Sequence, residues 1–210
     1  MSKMNLPNKL TVLRMCLVPI ILIVGMIPAS GMWHYISCVV CAALFITASV
    51  TDMLDGKIAR RDNLVTDFGK FLDPIADKFM VIGALFVLLY KFGNLNSLLI
   101  MTLIVVVFRE LAVTSMRLVV STGQNIVIAA NYLGKIKTVS QIVAVSTVFL
   151  EPVVQLVVKL IIEAVTGQTL CWRTDIVPLS WVSLLFSVAM TIWSGLNYIL
   201  SYWKYLDPEK

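Results

Sequence analysis

Asp52-Met-Leu-Asp55-Gly56-Lys-Ile-Ala59-Arg60, followed after an eight-residue gap by Gly69-Lys-Phe-Leu-Asp73-Pro-Ile-Ala-Asp77, sets four carboxylates beside strongly apolar sequence. Written as a pattern it is D-x2-D-G-x2-A-R-x8-G-x3-D-x3-D. At about 100° per residue, Asp52, Asp55, Gly56 and Ala59 share one helical face, and Gly69, Asp73 and Asp77 share a face of the next helix. Two helices meeting along those faces are expected to gather all four acids. Two unit charges about 4 Å apart repel by roughly 4 kcal/mol at an effective dielectric near 20, so such a cluster calls for protonation or for divalent cations among the acids. All-oxygen ligation suits hard ions such as Mg²⁺ or Mn²⁺, and Mg²⁺ is usually held by a few carboxylates together with substrate phosphates. A capping or water-facing role suits a lone Asp but not this ordered set. Gly56, Ala59 and Gly69 leave room for a ligand or for close helix approach, while Arg60 lies about 80° round from Asp52, where its fork can reach a phosphate.

Composition sets the surroundings. The chain is 59% hydrophobic and 14% charged, with apolar runs long enough to cross a hydrocarbon core of about 30 Å. The expected fold is all-α: a polytopic membrane protein of six transmembrane helices with an N-terminal interfacial helix, forming one membrane domain over residues 1–210. The spans are expected near residues 15–28, 33–51, 75–90, 95–116, 139–165 and 178–203. Pro152 interrupts the fifth, and Glu151, Lys159 and Glu163 lie in its outer half, so that a long kinked helix and a span followed by an interfacial segment are both open. Residues 1–14 carry Lys3, Lys9 and Arg14 among Leu6, Leu10 and Val12, as in an interfacial lead-in helix. Because this polar segment precedes the first apolar run and another span follows it, a cleaved signal peptide is disfavoured.

Basic residues set the orientation. Lys3, Lys9, Lys57, Arg60, Arg61, Lys70, Lys135, Lys137, Lys204 and Lys210 fall on one side of a six-span arrangement, against Lys91, Lys159 and Arg173 on the other. Both termini and the acidic motif are therefore expected to face the cytoplasm. The net charge of +5 then reflects topology and contact with anionic lipid rather than nucleic-acid binding. Cys16, Cys38 and Cys41 lie within apolar spans and read as packing residues. His34, the only histidine, sits near the outer interface, so no His-activated nucleophile is available beside the acids. Metal-assisted displacement at phosphorus remains.

A second polar group lies further along. Arg109 and Glu110 interrupt the fourth span, Arg117 follows two turns later, and Lys135 and Lys137 open the fifth. Packed around the acids, Arg109, Arg117, Lys135 and Lys137 are expected to form an anion pocket distinct from the metal site. Arg109 lies a turn or more deeper than membrane topology requires.

The acidic run is similar to the signature of the CDP-alcohol phosphotransferases, with no position missing. Asn5-Leu-Pro-Asn-Lys-Leu-Thr-Val-Leu-Arg14, Phe71-Leu-Asp-Pro-Ile-Ala-Asp-Lys78, Arg109-Glu-Leu with Ser115 and Arg117, and Gly134-Lys-Ile-Lys-Thr138 with Gln141 resemble the bacterial phosphatidylglycerophosphate synthase branch. The likeness covers nearly the whole chain; the longer segment from Glu151 to Arg173 departs from it. It implies a six-helix fold, usually homodimeric, in the bacterial cytoplasmic membrane, with a cavity open to CDP-diacylglycerol from the lipid. By matching positions, Asp52, Asp55, Asp73 and Asp77 would bind two Mg²⁺ or Mn²⁺ ions, with Asp77 also the general base. Asp52, Gly56, Ala59 and Arg60 would lie against the CDP group. Arg109, Arg117, Lys135 and Lys137 would receive the phosphate of glycerol 3-phosphate, and the products would be phosphatidylglycerol phosphate and CMP.

Two rivals stand beside that reading. The same chemistry can serve another acceptor, such as inositol phosphate or serine. A cation transporter can also cluster Asp residues in a membrane, although transport sites usually lie near the midplane at broken helices in repeated halves, and no repeat is visible here.

Overall fold

The computed structural model describes residues 5–28, 30–61, 66–124, 132–167 and 177–203; inside its helices, the side chains of residues 55, 57, 59–61, 70 and 121–124 lie outside the described set. Six long helices follow one another: α1 Leu6–Met26, α2 Met32–Arg61, α3 Asp67–Lys91, α4 Asn96–Gln124, α5 Tyr132–Thr166 and α6 Pro178–Tyr202, with a short 3₁₀ turn at Gly93–Leu95 before α4. Among the described residues there is no strand. The chain is an all-α, multi-pass membrane protein. Five of the helices are long and apolar enough to cross a bilayer. The expected third span falls in α3, which Asp73, Asp77 and Lys78 near its start and Lys91 at its end keep out of that apolar set.

Local chemistry explains several boundaries. Pro7 opens α1, where a missing N–H costs nothing, and the Thr66 hydroxyl caps α3 by accepting from the Gly69 N–H at 3.1 Å. Asp67 in the first turn of α3 and Lys91 in its last both oppose the helix dipole. The interfacial helix expected over residues 1–14 is not a separate element among the described residues. Residues 6–14 and the first span form one continuous helix, because Asn8, Thr11 and Arg14 are buried against α3 rather than spread on a membrane surface.

The fifth span resolves into one 35-residue helix that runs through Pro152. Glu151 is not exposed in an outer segment: its carboxylate accepts from the Leu179 N–H at 3.0 Å, the Ser180 N–H at 2.6 Å and the Ser180 hydroxyl, capping α6 from a neighbouring helix. That arrangement satisfies both the buried acid and the orphan donors at the start of α6.

α1 packs against α2 and α3, α6 against α4 and α5, and α2 and α3 touch α5, while α2 meets α3 only lightly. Gly25 permits the approach of α1 to α3, since a Cβ there would lie 2.2 Å from Val87 Cγ1. Val18, Ile21, Phe45, Leu85, Leu88 and Phe149 belong to the core, and so do Cys38 and Cys41, which are free thiols acting as packing residues. Outward-facing Ile23, Phe86, Ile104, Val157 and Leu200 give the bundle the apolar exterior that lipid requires.

Candidate functional site

The polar groups converge at one end of the bundle. α1, α3 and α5 begin there, whereas α2, α4 and α6 end there, as contacts of Thr11 with Asp73, Arg14 with Asp52, Lys137 with Glu110 and Arg117 with Tyr198 require. On the α1 side, Asn8, Thr11 and Arg14 form a ladder at i, i+3 and i+6, within one face of the helix. Asn8 Oδ1 accepts from the Thr66 hydroxyl at 3.0 Å, and the Thr11 hydroxyl donates to Asp73 Oδ1 at 2.6 Å. Arg14 Nη1 contacts Asp52 Oδ1 at 2.8 Å and also Asp77 Oδ1. The Arg14 side chain is wholly buried, while those of Asp52 and Asp77 remain 34% and 49% exposed, so the cation lies beneath the acids.

This changes the expected geometry. α2 and α3 do not gather the acids by packing along their acidic faces; α1 stands against both and Arg14 links them. Like charges on directly apposed helices would repel, and a buried guanidinium between them removes that obstacle. Gly69 has a matching role: a Cβ there would lie 3.0 Å from Asn8 Oδ1 and 3.3 Å from Thr66 Oγ1, so its smallness lets α1 approach the start of α3. Asp55, Ala59 and Arg60 lie on the last turns of α2, but their side chains fall outside the described residues; Gly56 is partly buried on the same helix. Among the described residues no three His, Cys, Asp or Glu side chains form a ready ligand set. Asp52 and Asp77 on Arg14, with Asp73 on the Thr11 hydroxyl of the same helix face, nevertheless supply three hard carboxylates, a donor chemistry that fits a divalent ion.

Beyond Asp73 and Asp77 opens a cavity of about 470 Å³. Its opposite wall carries Arg109, Arg117 and Lys137, three of the four expected anion-pocket residues. Each is held by the protein. Lys137 Nζ donates to Glu110 Oε1, which Arg109 Nη1 also reaches at 3.1 Å, and Arg109 Nη2 donates to Ser194 Oγ at 2.9 Å. Arg117 donates through Nε and Nη2 to the Tyr198 hydroxyl, at 3.2 and 2.8 Å.

Lys135 is not brought to this wall. It lies with Tyr132, Val139, Val182 and Phe186 along a separate groove of about 780 Å³ between α5 and α6. Two helical positions apart means about 200° of rotation, so turning Lys137 inward turns Lys135 away. Lys78 takes a place on the cavity that the sequence reading did not assign, with its ammonium 2.5 Å from the Thr114 hydroxyl.

Arg14 was also missed as a site residue. Its signal was present, a cation entering an apolar run in step with Asn8 and Thr11, but basic residues at the start of a span are ordinarily explained by topology. Glu110 stood out as an acid within the fourth span, but no role followed from its spacing; Ser194 and Tyr198 carried no comparable signal, because their importance lies in what they touch.

Comparison with known proteins places the chain in a family. The family model for CDP-alcohol phosphatidyltransferase matches residues 4–193. The chain is 39% identical to a CDP-diacylglycerol–glycerol-3-phosphate 3-phosphatidyltransferase of Bacillus subtilis (strain 168), covering 98% of each chain. Proteins of the same name from Pseudomonas fluorescens and Yersinia enterocolitica are 32% and 31% identical, with 98% of this chain covered and 94% and 100% of theirs. The match takes in both walls of the cavity, the ladder of α1 and most of α6, and on that extent the chain belongs to the CDP-alcohol phosphatidyltransferase family.

Proposed function

We propose that this protein transfers the phosphatidyl group of CDP-diacylglycerol to glycerol 3-phosphate, giving phosphatidylglycerol phosphate and CMP. The observation that carries the reading is a single cavity with Asp73 and Asp77 on one wall and Arg109, Arg117 and Lys137 on the other. Acids and cations set apart in this way suit two anionic substrates with different needs. The relatives named above carry this donor and this acceptor in their names.

In this reading Arg109, Arg117 and Lys137 bind the acceptor's phosphate and so direct its far hydroxyl toward the acids. Asp77, half-exposed, takes the hydroxyl proton as the new O–P bond forms in line with the bond to CMP, which leaves with the electron pair. Gly56, Ala59 and Arg60, with Asp52, lie against the CDP group. Asp52, Asp55, Asp73 and Asp77 would hold divalent ions, two Mg²⁺ or Mn²⁺. When bound, such ions neutralise the diphosphate and the departing CMP.

The protein works as a homodimer in the bacterial inner membrane with the cavity facing the cytoplasm, a placement supported by the excess of Lys and Arg on that side of the spans. CDP-diacylglycerol enters sideways from the lipid.

An acceptor panel tests the reading. Purified protein with CDP-diacylglycerol and Mg²⁺ receives glycerol 3-phosphate, inositol phosphate, serine or inositol in turn, and CMP release is measured. Release with glycerol 3-phosphate above the others is expected. Preference for inositol phosphate would keep the chemistry and change the acceptor; no release with any of them, together with ion uptake into proteoliposomes, would replace the enzyme by a transporter.

A further inference from the structure

We propose that Arg14 is a built-in counter-ion of the acidic cluster, a positioning residue that holds the carboxyl groups of Asp52 and Asp77 aligned with each other before any divalent ion binds. The proposal rests on the divalent-ion reading given above and extends it to a residue that the acidic signature does not contain.

Three observations lead to it. The Arg14 side chain has no exposed surface, yet a buried guanidinium is costly unless charge-paired and hydrogen-bonded. Its Nη1 touches carboxylates from two different helices, Asp52 on α2 and Asp77 on α3, which otherwise meet only lightly. The neighbouring rung of the same ladder, Thr11, donates to Asp73, so that one face of α1 addresses three of the four signature acids. An arginine needed only for packing would not require two acidic partners, and one placed by topology would extend toward the headgroups instead of lying beneath the acids.

The physical consequence is specific. Among the described residues, Arg14 is the cation in contact with the acids of the cluster, so without ions it offsets their mutual repulsion, and with ions part of that work passes to the metal. Loss of Arg14 therefore harms the ion-free protein more than the ion-loaded one. A residue that merely packs α1 against α3 would show the same deficit in both states.

Thermal unfolding of the full-length protein in detergent, followed by circular dichroism, separates the two. In excess chelator, Arg14→Gln is expected to melt about 5 °C or more below wild type. In saturating Mn²⁺ the gap should shrink to less than half, and Arg14→Lys, which keeps the charge, should lie closer to wild type in chelator. An equal gap with and without Mn²⁺ would overturn the proposal. Where Arg14→Gln does not survive in chelator, the double variant Arg14→Gln/Asp77→Asn decides. Removing one partner acid should restore a folded, chelator-stable protein if repulsion was the fault, and failure to restore it would count against the counter-ion role. The wild-type melt tests the divalent-ion reading separately: no shift with any divalent ion would remove that reading, while the double variant in chelator would still judge Arg14.

Discussion

Arg117 and Tyr198 are joined twice over. Both Nε and Nη2 of the arginine donate to the phenol oxygen, and the guanidinium carbon lies 5.4 Å from the centre of the same ring. Tyr198 is buried, so a residue of α6 fixes the direction in which a cation of α4 faces the cavity. Removing the hydroxyl while keeping the ring should free the guanidinium without removing its charge. Tyr198→Phe is therefore expected to raise KM for glycerol 3-phosphate several-fold with little change in KM for CDP-diacylglycerol. Arg117→Ala should raise the acceptor KM further, by about tenfold or more. Steady-state kinetics with each substrate varied in turn checks both; equal effects on the two substrates would assign Arg117 to the fold.

Glu110 restrains two cations, Lys137 and Arg109, from a position with only 14% of its side chain exposed. Glu110→Ala leaves both without their acidic partner and is expected to cost about 3–5 kcal/mol of stability. Glu110→Gln keeps a hydrogen-bond acceptor and should cost less. Chemical unfolding in detergent gives the stabilities, and acceptor KM measured on the glutamine variant shows whether Glu110 also tempers the anion pocket. A lowered KM is expected, since one competing negative charge has gone.

Asp73 lies where a cluster of carboxylates would hold divalent ions, and its protein partner among the hydrogen bonds described is the Thr11 hydroxyl. Excess chelator should abolish CMP release, with Mg²⁺ or Mn²⁺ restoring it. Asp73→Ala should lower turnover by about a hundredfold or more while the helical signal in circular dichroism is retained, because the change removes charge from the site. Full turnover in chelator would exclude a metal role for these acids.

Glu151 acts far from the cavity. It caps the first turn of α6, about 27 Å along that helix from Tyr198 by the rise per residue. Glu151→Ala should cost about 1–3 kcal/mol, because two backbone donors and one hydroxyl lose their acceptor. Glu151→Gln, which retains one carbonyl oxygen, should recover about half. The acceptor KM should stay at the wild-type value in both, and a change in it would mean that α6 shifts as a rigid rod.

Much of this protein was readable as sequence because its strongest signals are local or periodic. Apolar runs of membrane-spanning length, the 3.6-residue repeat that puts Asp73 and Asp77 on one face, and the bias of Lys and Arg toward one side all follow from rules that operate within a single helix. Those rules led to helices, to a membrane and to an acidic site, and the family signature named the chemistry. They stop where one helix meets another. That α1 rather than α2 lies along α3, that Arg14 lies under two acids, that Glu151 caps a helix beginning 27 residues later, and that Lys137 faces the cavity while Lys135 faces the α5–α6 groove were decided by tertiary packing. The reason is physical: a buried charge in a membrane bundle takes whichever partner the neighbouring helices offer, and sequence spacing within its own helix does not encode that choice.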